Sequence, residues 1–191
     1  MKKGITKILS ACVFAFVVFL AAGTQSKAAV NMGVKQTGAG SSYVDLAWDA
    51  QLGAGHYHTQ FSQDGKNWID MDNSSSPSES VYNLTQGASY YARVVAYKGS
   101  HYTGTHVMIG VSETAIVSTK PTEVSGLTQT AAGVNSVSMS WNASAGAASY
   151  VIYGYINYNW TQIGTSATNS ATITGVAATT STRFSVAAVK N

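Results

Sequence analysis

The chain has 191 residues, of which 45% are hydrophobic and only 10% charged, enough for one or two folded units but not for a large multidomain assembly. Its formal charge of +3 is concentrated at one end. Setting aside Lys2, Lys3, Lys7 and Lys27 reduces the eleven basic residues to seven, against eight acidic ones, which removes any electrostatic case for nucleic acid or an anionic membrane surface. The single cysteine, Cys12, lies in the same segment, so the rest of the chain can form no disulfide, no thiol nucleophile and no cysteine-based metal site.

Residues 1–28 read as a secretory signal: a basic start, a largely apolar run from Ile8 to Ala22, and small residues at Ser26 and Ala28 that place cleavage after Ala28, or after Ala29 as the alternative. The apolar run is short for a membrane span, which needs about 20 residues. Leu9-Ser10-Ala11-Cys12 resembles a lipoprotein box, but the apolar run follows Cys12 instead of preceding it. A secreted or cell-surface protein without a membrane segment after cleavage is the expectation, and about 160 residues remain to fold.

From there on, short stretches alternate apolar and polar residues and are separated by Gly, Asn, Ser and Asp clusters, an all-β signature. Val44, Leu46 and Trp48 alternate with Tyr43, Asp45 and Ala47, so one set faces a core and the other faces water. Asp64-Gly65 tolerates the backbone of a tight turn and predicts antiparallel pairing of residues 57–61 with residues 67–71. Leu84-x-x-Gly87-x-x-Tyr90 leads into a strand that places Tyr90, Ala92, Val94 and Ala96 on one face and Tyr91, Arg93, Val95 and Tyr97 on the other. Tyr90 can bury its ring while its hydroxyl bonds nearby backbone, fixing a corner between two sheets.

The pattern then repeats. Val137, Met139, Trp141 and Tyr150 follow Val44, Leu46, Trp48 and Tyr57 at an offset of 93, and Asn159, Trp160, Ile173, Val186 and Ala188 follow Asn67, Trp68, Val81, Val94 and Ala96 at 92. One residue is lost near the first hairpin. Repetition at this length means two similar modules in tandem, 29–120 and 121–191, with Lys120-Pro121 as the boundary and a stiff Thr119-Lys120-Pro121 junction.

These residues resemble fibronectin type III domains of secreted bacterial proteins. The resemblance rests on Trp48 and Trp141, Tyr57 and Tyr150, the Ser62-x-Asp64-Gly65-x-x-Trp68 hairpin, the Leu84-x-x-Gly87-x-x-Tyr90 corner running into Arg93-Val94-x-Ala96, and the Pro121-x-x-Val124-x-Gly126-Leu127 opening of the second copy. It implies two immunoglobulin-like β-sandwiches in tandem. The second departs from the pattern: Thr182 stands where Tyr90 does, and Asn191 corresponds to Gly99, so residues 100–120, with the last strand at roughly Val107 to Ser118, have no counterpart. The second sandwich is expected to lack that strand. Either the sequence is a fragment, or a partner donates a strand to fill the gap.

Catalysis finds little support. The second module has one acidic residue, Glu123, and the carboxylates of the first (Asp45, Asp49, Asp64, Asp70, Asp72) are explained by solvated strand and turn positions. No Gly-x-Ser-x-Gly is present. His56 and His58 project from one side of a strand and read as exposed polar positions beside the inward Tyr57; two imidazoles make no site, and nothing in the sequence brings His101 and His106 from their loop to join them; neither metal nor cofactor is expected. The resemblance lays the strand of His56, His58 and Gln60 beside that of Tyr91, Arg93 and Tyr97. His58, Gln60, Tyr91, Arg93 and Tyr97 are therefore the candidate ligand face, suited to a glycan or protein segment at the cell surface. Mutual covering of long side chains is the alternative account of the same residues. Tyr153, Tyr155, Tyr158 and Trp160 form a second, aromatic-rich hairpin, and the loop Gly99–His106 a third candidate. The leading functional reading is a non-catalytic extracellular spacer or interaction unit. Its rivals are an accessory part of a longer secreted polysaccharide-active enzyme and a carbohydrate- or matrix-binding protein.

Overall fold

The computed structural model describes residues 29–99, 106–176 and 182–190. Residues 1–28, expected above to be a secretory signal and holding Cys12, and residues 100–105 of the candidate loop, with His101, lie outside them. All regular structure in the described residues is β, in fifteen strands.

The first sandwich packs a three-stranded sheet, β2 (Lys35–Ala39), β3 (Val44–Ala47) and β6 (Ser78–Val81), against a larger one in the order β1 (Ala29–Val30), β8 (Val107–Ser112), β7 (Ser89–Lys98), β4 (His56–Ser62) and β5 (Ile69–Ser74). The alternation of β3 puts Val44, Leu46 and Trp48 into the core, where they meet Tyr57, Phe61, Val81, Tyr90, Ala92, Val94, Ala96 and Val117. The expected last strand is present but broken: β8 pairs with Val95–Lys98 of β7, and β9 (Ala115–Ser118) pairs with Ser89–Ala92. At the break the buried Ser112 hydroxyl accepts the Val94 N–H at 2.8 Å, doing for β7 what the interrupted ladder cannot.

The second sandwich packs β10 (Thr128–Ala132), β11 (Ser136–Ser140) and β14 (Ser170–Thr174) against β13 (Asn159–Ser166), β12 (Ser149–Ile156) and β15 (Phe184–Val189) around Met139, Trp141, Tyr150, Ile152 and Ile173. Duplication extends to the backbone. The bulge between Gln36 and Gly38 recurs between Gln129 and Ala131, and the one between Thr59 and Gln60 recurs between Ile152 and Tyr153. Trp48 meets Tyr57 edge-on at 5.4 Å between ring centroids, and Trp141 meets Tyr150 at 5.3 Å. The Tyr57 hydroxyl accepts the Gln51 N–H at 3.0 Å and the Tyr150 hydroxyl accepts the Ser144 N–H at 2.9 Å, each six residues upstream. Tyr90 makes the anticipated corner bond by accepting the Thr85 N–H at 2.9 Å.

The residue lost between the copies is absorbed at the hairpin. Ser62 to Ile69 is bridged by the Asp64-Gly65 turn, whereas Ile156 to Asn159 closes through two residues, Asn157 and Tyr158, with φ of 49° and 66°. Asp64 ties its own turn by accepting the N–H groups of Asn67 and Lys66 and the Ser62 hydroxyl. These bonds, that of Asn67 first, hold its carboxyl well below the usual carboxylate range.

The junction between sandwiches is short and fastened on both sides. Thr119 and Lys120 belong to the first: Thr119 N–H donates to Ala88 O at 3.1 Å, Gly87 N–H to Lys120 O at 2.9 Å and Lys120 N–H to Gly40 O at 2.8 Å. Thr122 belongs to the second, donating to Ala145 O at 3.0 Å and accepting the Ala145 N–H on its side chain at 2.8 Å. Only Pro121, with its fixed φ, stands between. The corner loop at Gly87 lies backbone to backbone on the loop at Gly146, and a Cβ on either glycine would strike the other. Lys190 Nζ donates across the junction to the Ser89 hydroxyl at 2.8 Å, and the desolvation there lowers its pKa.

Candidate functional site on the first sandwich

Antiparallel pairing of β4 with β7 sets His56 opposite Tyr97, His58 opposite Val95, Gln60 opposite Arg93 and Ser62 opposite Tyr91. These outward side chains form a connected chain rather than an open row. Arg93 lays its guanidinium over the Trp68 ring, 4.1 Å from the centroid, and its Nε donates to Gln60 Oε1 at 2.8 Å. Gln60 Nε2 donates to Asp70 Oδ1 at 2.7 Å, and the other oxygen of Asp70 lies 3.9 Å from His58 Nδ1. His58 in turn leans on Tyr97 at 4.9 Å between centroids.

Electrostatics follow from this packing. Desolvation is the main influence on both Arg93 and Tyr97: it lowers the former's pKa, opposed by Asp70, and raises the latter's, reinforced by Asp70. Glu79, on β6, is raised by desolvation and by the nearby Asp72 charge, but both carboxylates sit on strands at the edge of the sandwich and not around the ligand face.

The structure divides the five residues expected on the ligand face. His58, Gln60, Arg93 and Tyr97 come together through Asp70. Tyr91 stands apart at the hairpin end, its ring 3.6 Å from where a Cβ on Gly65 would sit. Two expectations need correction. His56 is not an exposed polar position: it is 3% accessible, its ring stacked at 5.2 Å on Tyr97 and its Nδ1 3.0 Å from Gly99 O. His106 does converge on the strand histidines, with ring centroids 5.4 Å from His56 and 6.2 Å from His58. Val95 lies beneath this group, outward in register yet only 2% accessible. The sequence reading missed Trp68 and Asp70 as members of the network. Hairpin register was the available signal for Asp70, since a strand residue opposite Gln60 was bound to be a neighbour.

The aromatic hairpin of the second sandwich is more open. Tyr155 and Trp160 pair across it at 5.2 Å, while Tyr158 at the turn is 89% exposed and Trp160 is 52% exposed.

Taken together, the strand orders, the two separate cores and the duplicated Trp–Tyr pairs define a protein of tandem immunoglobulin-like β-sandwiches in the fibronectin type III arrangement. No family model and no curated protein matches the chain. Similar solved structures include a segment of two fibronectin type III domains from chicken tenascin, 15% identical over 83% of this chain and 90% of that one, with a TM-score of 0.49. The FN1–FN3 domains of chicken CNTN1 are 14% identical over 85% of this chain and 62% of that one, with a TM-score of 0.41. A β-1,2-glucanase from Parabacteroides distasonis is matched over 51% of this chain but 13% of its own length, at 17% identity and a TM-score of 0.39. These are likenesses of fold, and function has to be argued from this chain's own side chains.

Proposed function

We propose that the chain is a secreted, cell-surface spacer of bacterial type that holds an interaction surface at a fixed distance and orientation. The observation that carries this reading is the junction. Hydrogen bonds commit Thr119 and Lys120 to one sandwich and Thr122 to the other, and the Gly87–Gly146 contact removes the freedom that tandem domains otherwise have. A flexible tether would need neither glycine. The basic and apolar signal segment supports export, and the absence of cysteine after it is compatible with either side of the membrane.

Spin labels at Leu52 and Val134, exposed positions on different sandwiches, test it. The expected result is one narrow distance distribution for the parent protein and a broad one for Gly146→Val, with each sandwich still folded. A broad distribution in the parent protein would sink the spacer reading.

The partner is a glycan or protein segment, and the exposure of Tyr158 and Trp160 favours the second hairpin over the self-engaged face of the first as its docking point. A glycan array and a surface-protein panel, each run with Trp160→Ala and with Arg93→Ala, separate the two faces. Binding abolished by Arg93→Ala and untouched by Trp160→Ala would reverse this preference. A longer polysaccharide-active enzyme carrying this pair as an accessory part would be revealed by coding sequence beyond Asn191.

A further inference from the structure

Duplication places the same tryptophan in two settings. Trp68 and Trp160 occupy matching positions, as do Arg93 and Ser185, Gln60 and Tyr153, and Asp70 and Gln162, and the paired strands hold each set in the same register. In the first sandwich the Arg93 guanidinium lies over the Trp68 ring at 4.1 Å from its centroid, anchored by Gln60, which Asp70 holds in turn. In the second, a serine side chain at 185 is too short to do the same, and Trp160 stands half exposed beside Tyr155. The residues that close this surface in one copy are replaced in the other by residues that leave it open.

We propose that the second hairpin binds a neutral polysaccharide built of equatorially substituted pyranose rings, an inference that rests on the reading of this hairpin as the docking point. Such rings show axial C–H groups on their faces and hydroxyls around their rims, so they stack on aromatic faces and hydrogen-bond at the edge. Trp160, Tyr155 and Tyr158 supply the aromatic faces, and the exposed amides of Asn157, Asn159 and Gln162 supply partners for the hydroxyls. Charge rules out the other polymers that stack on aromatic rings. Strands β10 to β15 carry no charged side chain, and between Glu123 and Lys190 only Arg183 is charged. Its carbonyl accepts the Tyr155 N–H at 2.9 Å, which sets it at the rim of the hairpin. One guanidinium can donate to sugar hydroxyls, but a polyanion needs a row of cations along its backbone.

The turn points the same way on separate grounds. Asn157 and Tyr158 have φ of 49° and 66°, a conformation that Asn-Gly fits best. A tyrosine at the second position works against its own Cβ, and its ring, almost wholly exposed, gains no packing in return. A side chain that costs the fold and buries nothing in it has its use outside the fold.

Affinity electrophoresis of residues 29–191 in gels holding a neutral β-glucan tests this, together with tryptophan-fluorescence titrations using cellohexaose and hexa-N-acetylchitohexaose. Polygalacturonate is the anionic control. The β-glucan is expected to retard the protein and polygalacturonate to leave it unaffected. Retardation should be the same at about 0.05 and 0.5 M sodium chloride, because salt screens only contacts between charges. Trp160→Ala and Ser185→Arg should each weaken oligosaccharide binding about tenfold, the first by removing a stacking face and the second by covering it as Arg93 covers Trp68. Trp68→Ala should leave binding unchanged. Tyr158→Gly should weaken binding and yet raise the melting temperature, a split that a merely structural tyrosine would not give. No binding of either oligosaccharide, or retardation by polygalacturonate that fades with salt, would overturn the proposal. If a surface protein instead binds through Trp160, the hairpin remains the docking point and only the polysaccharide inference falls. Glucan binding that survives Trp160→Ala would sink both.

Discussion

Two copies of one sandwich, read position by position, separate what the fold needs from what this protein adds. Ala92, Val94 and Ala96 of β7 are fully buried, whereas their counterparts Phe184, Val186 and Ala188 on β15 are only partly so. The difference is not in those residues, which are as apolar in the second copy as in the first. It lies on the flank: β8 and β9 cover β7, while β15 pairs with β12 alone among the described strands and an open hollow of about 160 Å³ lies beside it, lined by Leu127, Thr128, Gln129, Val137, Met139 and Phe184. Gln129 shows what that hollow would receive. Its counterpart Gln36 clasps β9 with both ends of its amide, donating to Ser118 O and accepting Ser118 N–H, each at 2.9 Å.

The largest effect should come from erasing this difference. Appending a copy of residues 100–118 after Asn191 supplies a flank like that of the first sandwich. It should raise the melting temperature of the second sandwich by more than about 5 °C, the response of a small domain to roughly 1 kcal/mol. Gln129→Ala should remove part of the gain. A second transition that stays where it was would show that the flank is not what limits this sandwich.

Next in size is the hydroxyl common to both copies. Tyr57→Phe and Tyr150→Phe each leave a backbone N–H without its acceptor and should each cost about 1 kcal/mol in denaturant unfolding. Equal losses would confirm equivalent roles; a larger one at Tyr150 would mark the smaller core as more dependent on its polar tie.

The smallest effect concerns Glu79, whose place in the second copy is taken by the uncharged Ala171. Because burial and Asp72 raise its pKa in the folded state, the folded protein holds a proton there more tightly than the unfolded chain does, and stability declines as pH rises through that range. Glu79→Gln should therefore melt slightly higher than the parent protein at pH 7 and show no advantage below about pH 4, where the unfolded carboxyl is protonated too. The reverse dependence would mean that an attractive contact dominates at Glu79.

Much of the fold was legible because its causes are local. Alternation assigned Val44, Leu46 and Trp48 to the core, Asp-Gly marked a turn, and the repeat matched the strands and cores of the two sandwiches. The break between β8 and β9 was not legible, because it depends on one buried serine hydroxyl answering a distant N–H. The second hairpin was legible, with Tyr158 expected in or after its turn, but not the backbone of its two-residue closure, where a tyrosine takes a conformation that its type disfavours. Of the candidate site, the strand residues could be read from register, but the arrival of His106 depends on the path of the chain between strands. Composition carries no record of that path.

Gln36 and the short parallel pairing of β1 with β8 have a mechanical meaning. Ala29 pairs with Val111, Val30 with Ser112, and Gln36 with Ser118, so the entrance and the exit of the first sandwich are bound side by side. Tension applied between those ends loads the bonds in shear, all at once, instead of unzipping them singly. A load carried through those ends would be held until that clamp slips.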